Sequence, residues 1–207
     1  MQVVSVRSSG DPKAEVYRIE LSDGSLFSIK LVYVPSEYYP QALCVVDKVL
    51  SSQEEEALRF AASCVRAEGQ ALRLVARAEQ SSLGLSRKLK QRGHAAPCVQ
   101  RVVSRLIEQA IISDYRYAQM WLRGRLARRL ESPRYLLTAL CSRGIDRDMA
   151  QKALTGVLDF DTEVAMLNQY LEKKHPIRNG SSTNLRQKLK YEGFSSSVID
   201  LLEEGEG

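Results

Sequence analysis

Arginines and aromatic rings crowd a single stretch of this chain, Ser113–Arg129 (SDYRYAQMWLRGRLARR). Guanidinium groups grip phosphate and carboxylate oxygens, and indole or phenol rings stack on bases or on other guanidiniums. The chemistry on offer is recognition of an anionic partner. Ser113 is placed to cap a helix whose positive N-terminus Asp114 complements. Ala118, Leu122 and Leu126 then form an apolar stripe joined by Tyr115, with Tyr117 and Trp121 as a second pair beside it. The plainer assignment for both aromatics is the core; the sharper one stacks Trp121 on a base or a guanidinium. Arg116 and Arg123 project together, away from the stripe. Arg125, Arg128 and Arg129 are distributed around the other sides, so no single basic stripe results. Arg87, Lys88, Lys90, Arg92, Arg134 and Arg143 extend the same basic zone.

Charge is divided unevenly along the chain. Of its 207 residues, 71–144 hold fifteen Lys+Arg against four Asp+Glu, a net of +11 within an overall +5. Each flank is acidic. A basic centre between acidic ends implies an anionic partner for the centre.

Catalytic signatures are absent. The sequence has no phosphate-cradling G-x-x-x-x-G-K-[ST], no G-x-G-x-x-G after a strand and no serine in G-x-S-x-G. The carboxylates cluster in the acidic ends and on exposed helix faces, so a protein that is not an enzyme and needs no cofactor is expected. Cys44, Cys64, Cys98 and Cys141 are widely spaced and His94 lies far from His175. That spacing suits neither a metal site nor a disulfide framework, and buried reduced thiols are expected. No window approaches the roughly 18 apolar residues of a membrane helix, and the opening MQVVSVRSSGDPK lacks the apolar core of a signal peptide. A cytoplasmic monomer without membrane contact is expected.

The positioning elements show in a repeat. Leu85/Leu89/Gly93, Leu136/Leu140/Gly144 and Leu185/Leu189/Gly193 recur at offsets of 51 and 49. Leucines four apart share one helix face, and a glycine just beyond supplies the left-handed C-cap. His94, Ile145 and Phe194 follow, where an apolar contact seals such a cap. Ala95-Ala96-Pro97, Asp146-Arg147-Asp148 and Ser195-Ser196-Ser197 can each start a further helix. Apolar residues recur five positions past the glycine (Cys98, Met149, Val198) and nine past it (Val102, Ala153, Leu202). With the amphipathic segments 71–78, 115–130 and 163–171 ahead of each leucine pair, every repeat contains three helices and must stack to bury a core.

Ahead of the repeats, 2–8 and 15–32 alternate as strands, and Ser22-Asp23-Gly24-Ser25 is a hairpin turn. Pro35–Pro40 is a loop. A helical pattern with Val45, Val46, Val49 and Leu50 on one face starts near Gln41. Ser51-Ser52 followed by Glu54 and Glu55 offers a capping box to a helix running toward Gln80, with Gly69 as a weak point. The expected fold is mainly α: three tandem three-helix repeats (66–112, 113–160, 161–207) behind a small antiparallel β region (1–40) and connecting helices (41–65).

The sequence resembles the RecX family, bacterial regulators of the RecA recombinase, over essentially its whole length. The likeness runs from Ala71-Leu72 to Ser86-Arg87-Lys88-Leu89-Lys90-Gln91-Arg92-Gly93 and through a helix ending Arg105–Asp114. It includes Asp114-Tyr115-Arg116-Tyr117-Ala118, similar to the family's D-x-R-[FY]-A block, and Arg143-Gly144-Ile145-Asp146, similar to its R-G-I-D turn. Where the family often carries R-G-x-G-P, this chain has Arg129-Leu130-Glu131-Ser132-Pro133, which keeps the proline and loses both glycines. The resemblance implies a noncatalytic modulator in recombination, DNA repair and the SOS response. Such a protein binds along the groove of the RecA–single-stranded-DNA filament and restrains its growth, ATP hydrolysis and strand exchange. A curved helical stack with a basic concave face suits such a groove, with or without direct contact to single- or double-stranded DNA. Two other readings stay open: a helix–turn–helix DNA-binding protein, for which the post-glycine helix starts are poor base readers, and a helical scaffold for an acidic protein partner.

Overall fold

The alternating residues near the N-terminus become three antiparallel strands in the order β1-β2-β3: β1 (Val3–Ser8), β2 (Val16–Leu21) and β3 (Leu26–Lys30). Val3 faces Leu21 and Tyr17 faces Ile29 across the ladders, so Val3, Ile19, Leu21 and Ile29 fall on one buried face. Gly24 turns the β2–β3 hairpin at φ +80°, and the Asp23 carboxylate accepts the Ser25 N–H at 2.9 Å. The computed structural model describes residues 1–8, 16–35, 38, 45–129, 131–174 and 182–204. Cys44, His175 and the expected helix start at Gln41 lie outside them, as does nearly all of the expected break at 175–182.

Residues 45–50 are not the helix that their apolar spacing suggests. They make a turn, with Asp47 at φ 67°, and then run beside β1. Val3 N–H donates to the Lys48 carbonyl, Asp47 N–H to that of Val3 and Leu50 N–H to that of Met1, each within 2.9 Å. The edge of β1 thus takes Asp47 and Lys48 as backbone partners, with Leu50 bonded just ahead of the strand, and holds the segment extended, a state that its β-branched valines favour.

Nine α-helices follow among the described residues: α1 (Ser52–Val75), α2 (Ser82–Gln91), α3 (Ala96–Glu108), α4 (Asp114–Leu126), α5 (Pro133–Cys141), α6 (Arg147–Thr155), α7 (Phe160–Lys174), α8 (Ser182–Tyr191) and α9 (Ser196–Glu204). The capping box forms as read: Glu54 N–H donates to Ser51 Oγ at 3.2 Å, and Ser51 N–H to Glu54 Oε2 at 2.8 Å. Gly69 does not interrupt α1.

All three repeat glycines carry the left-handed cap, with φ of +84°, +83° and +85° at Gly93, Gly144 and Gly193. The N–H groups of His94, Ile145 and Phe194 each reach back to the last leucine carbonyl of their helix (Leu89, Leu140, Leu189) at 3.2 Å. The glycine N–H bonds to the carbonyl three residues back in each copy, which completes the two-bond Schellman arrangement. Ile145 and Phe194 are buried, but His94 only in part.

One inward register departs from expectation. Cys98 and Val198 are buried, whereas Met149 is 37% exposed. The position one further on is buried in every copy, as Val99, Ala150 and Ile199, so α6 is turned to bring its alanines inward. Cys141 is exposed as well, against the expectation of burial, while Cys64 and Cys98 are buried free thiols.

The chain divides into two compact units. The first comprises Met1–Ala78 and Leu85–Ile111. In it α1 packs against β3 and α3. Its stripe of Ala57, Ala61, Cys64, Ala67 and Ala71 is buried, and such small side chains permit close approach. The second comprises Glu79–Gly84 and Ile112–Gly207. Here α4 to α9 share one continuous core, from Ala118, Leu122, Leu136 and Leu140 through Ala150, Ala153 and Met166 to Leu189, Phe194 and Val198. No helix among the described residues is long and apolar enough to cross a membrane.

Candidate partner interface

The eleven basic residues singled out in the sequence fall into two groups, one per unit. Arg87, Lys88, Lys90 and Arg92 belong to the first unit and are exposed on the last turns of α2 and the turn after it. Leu85 and Leu89 of the same helix point into the core. Cations at this end also complement the helix dipole.

The remaining seven belong to the second unit, and the fold assigns them different tasks. Ser113 caps α4 by accepting the Arg116 N–H at 3.3 Å. Asp114 faces the other way: the Ser82 N–H and hydroxyl donate to its two carboxylate oxygens at 2.7 and 2.6 Å. Arg116 pairs with Glu79 at 2.9 Å. Ser81 Oγ bonds to the Arg143 carbonyl at 3.5 Å, and the Leu83 side chain rests against Gly144. The D-x-R-Y-A block is thus largely a clamp that holds residues 79–84 onto the second unit.

Trp121 is half-buried at the edge of the core with guanidiniums over its ring, Arg143 at 4.4 Å and Arg125 at 6.0 Å. Both the core assignment and the guanidinium stacking therefore hold for this residue. Arg125 is itself chelated by Glu131 through two bonds of 2.7 Å. That pairing raises the pKa of Arg125 further. A chelated guanidinium is a positioning group more than a free charge.

The departure from R-G-x-G-P is accommodated locally. Glu131 supplies the chelate, while Ser132 caps α5 by accepting the Tyr135 N–H at 3.4 Å with Pro133 in the first turn. Among the described residues, Arg123, Arg128 and Arg129 enter no ion pair, and all three are exposed at the end of α4 and the turn beyond. Arg134 lies 3.6 Å above the ring of Tyr191.

Several partners were not legible in the sequence. Glu79, Glu131 and Tyr191 carry no local signal that ties them to their arginines. Lys188 and Lys190, exposed on α8, do carry one: the repeat alignment that pairs Leu85 with Leu185 sets them opposite Lys88 and Lys90.

Comparison with known proteins agrees with this geometry. Residues 113–154, which contain α4 to α6, match the family model described as RecX, second three-helix domain. The regulatory protein RecX of Treponema pallidum is 33% identical over 149 residues, covering 72% of this chain and 90% of the relative. That of Pseudomonas entomophila is 30% identical over 140 residues, covering 65% and 88%. A crystal structure of regulatory protein RecX superposes with a TM-score of 0.67 at 20% identity, covering 98% of both chains. That of RecX from Lactobacillus salivarius gives 0.53 at 20% identity, covering 69% of this chain and 96% of the other. The fold is that of a helical-repeat protein, and the relatives that cover most of it are regulatory proteins. The chain belongs to the RecX family of regulatory proteins.

Proposed function

We propose that this protein regulates RecA recombinase without catalysis of its own, by binding the RecA–single-stranded-DNA filament and restraining its growth, ATP hydrolysis and strand exchange in the cytoplasm. The observation that carries this reading is the trio Arg123, Arg128 and Arg129, exposed and without ion pairs among the described residues, in the same unit as Arg134 and Arg143 held on aromatic rings. Exposed charges without a paired carboxylate are available to phosphate or to acidic protein surface without first breaking an ion pair. Arg116 supplements them, but its pairing with Glu79 also gives it a structural task. The helix–turn–helix alternative is disfavoured at α6, which opens on Asp146-Arg147-Asp148 with Asp146 spent as its cap.

The test is RecA ATPase on single-stranded DNA titrated with this protein. Replacing Arg123, Arg128 and Arg129 together by glutamate should raise the concentration for half-inhibition about tenfold or more, with the melting temperature nearly unchanged. Inhibition by the native protein should weaken as salt rises, because phosphate neutralisation releases counterions. A triple variant that folds and inhibits at the native concentration would refute this face as the contact surface. A preferred footprint on duplex DNA would favour the helix–turn–helix reading instead.

A further inference from the structure

Within the second unit, α5 with the two residues before it, α7, and Glu192 just after α8 line an open cleft of about 440 Å3, the size of a small-ligand site. Tyr135 and Tyr170 form aromatic walls. Gln169 lies on the same wall, its Oε1 buried and without a hydrogen-bond partner among the described residues. Its amide is one of the polar groups of the lining that can meet the polar edge of a ligand.

The charges around the cleft do not cancel. Arg125 neutralises Glu131 through its chelate, whereas Glu192 accepts the neutral Ser132 hydroxyl at 2.7 Å and keeps its charge, one anion against the two cations that remain. Lys173 and Arg134, which also line it, have no carboxylate partner among the described residues. Arg134 meanwhile rides on Tyr191, whose residue is 65% exposed. A guanidinium braced on a ring extends a flat, cationic stacking surface beside the cleft.

The matching ligand is planar and aromatic, has hydrogen-bond donors on its edge and is joined to an anion. We propose that this cleft is a nucleobase subsite for single-stranded nucleic acid: a base stacks against Tyr135 and the Arg134–Tyr191 pair, and the adjoining phosphate meets Lys173. A lysine or arginine side chain from a protein partner fits less well, since it meets two like charges, Arg134 and Lys173, against the single carboxylate of Glu192. The proposal depends on the function proposed above only in taking single-stranded DNA as the strand that reaches this surface. Its test leaves RecA out.

The experiment uses fluorescence anisotropy and quenching with the full chain and a labelled oligodeoxyadenylate carrying a central 2-aminopurine. The control is an abasic strand of equal length and charge. The native protein should bind the base-bearing strand at least about fivefold tighter, the low end of one base–aromatic stack, and should quench the 2-aminopurine. The double variant Tyr135→Ala, Tyr191→Ala should lose that preference and the quenching while holding the abasic strand as before. Both tyrosines are more than half exposed, at 51% and 65%, so truncation spares the core. Equal affinity of the native protein for the two strands would overturn the proposal, and that measurement needs no variant. A preference retained by the double variant would overturn it too. Binding of an arginine-rich peptide in place of the oligonucleotide would assign the cleft to a protein partner. Base preference without RecA inhibition, or inhibition without base preference, separates this proposal from the function proposed above.

Discussion

Gly93, Gly144 and Gly193 adopt the same backbone conformation in three different surroundings, which makes alanine substitution a graded test. A left-handed conformation costs a residue with a Cβ about 1–2 kcal/mol. At Gly93 that is the whole penalty, because an added Cβ meets nothing within 4 Å. At Gly144 it lands on Leu83, 2.7 Å from that residue's Cβ and 3.0 Å from its Cγ. Leu83 cannot rotate its own Cβ aside, so the segment 79–84 must shift, an overpacking cost of about 1–3 kcal/mol. Gly144→Ala should therefore destabilise by about 2–5 kcal/mol. Gly193→Ala should fall between the two, its Cβ meeting Pro133 Cβ at 3.3 Å and the Arg134 backbone nitrogen at 3.4 Å. The assay is urea denaturation by circular dichroism. Hydrogen exchange over residues 79–84 and 136–155 localises the effect, since a chain of two units gives no single clean midpoint. Leu83→Ala in the same background should recover part of the loss, as it removes Cγ and beyond but leaves Cβ. Equal losses at Gly93 and Gly144 would refute the packing of Leu83 on the second-unit turn.

Two further outcomes follow from local geometry. Asp114→Ala removes both acceptors of Ser82 and should cost about 2 kcal/mol, between a lost helix cap and a lost charge-assisted pair. Hydrogen exchange at the start of α2 should accelerate selectively, and unchanged protection there would sink the clamp. The Lys48 ammonium, then the Ser51 backbone N–H, hold the Glu54 carboxyl down at about 2, from an ordinary 4.5. A depressed folded pKa means stability that is full above about 4.5 and is lost as pH falls toward 2. Glu54→Gln keeps the cap but loses the charge. It should be less stable at neutral pH, by about 1 kcal/mol or less because solvent screens this pair at the surface. Urea midpoints should show the gap closing between pH 4.5 and 2; a gap independent of pH would refute the coupling.

Several features whose partners lie within about five residues were legible in the sequence: the hairpin turn, the capping box, the leucine pairs and the three glycine caps. Short-range bonds depend on residue type and spacing alone, and repetition at a fixed period multiplied the signal. The exposed position of Arg123 was likewise readable from its place opposite the apolar stripe, whereas Arg128 and Arg129 lie beyond the end of α4, where helical spacing no longer applies. The fates of the other arginines were decided by tertiary contacts. Arg116 found Glu79, Arg134 found Tyr191 and Arg143 found Trp121, at separations where many carboxylates and rings compete and local pattern ranks none of them. The valines at 45–50 read as helical, but backbone bonds from Asp47, Lys48 and Leu50 hold the segment beside the N-terminal strand. Period alone also made three equal repeats. Packing instead joined the last two around one core and assigned residues 79–84 of the first to them, because a repeat marks where helices recur, while burial of their apolar faces decides which helices share a core.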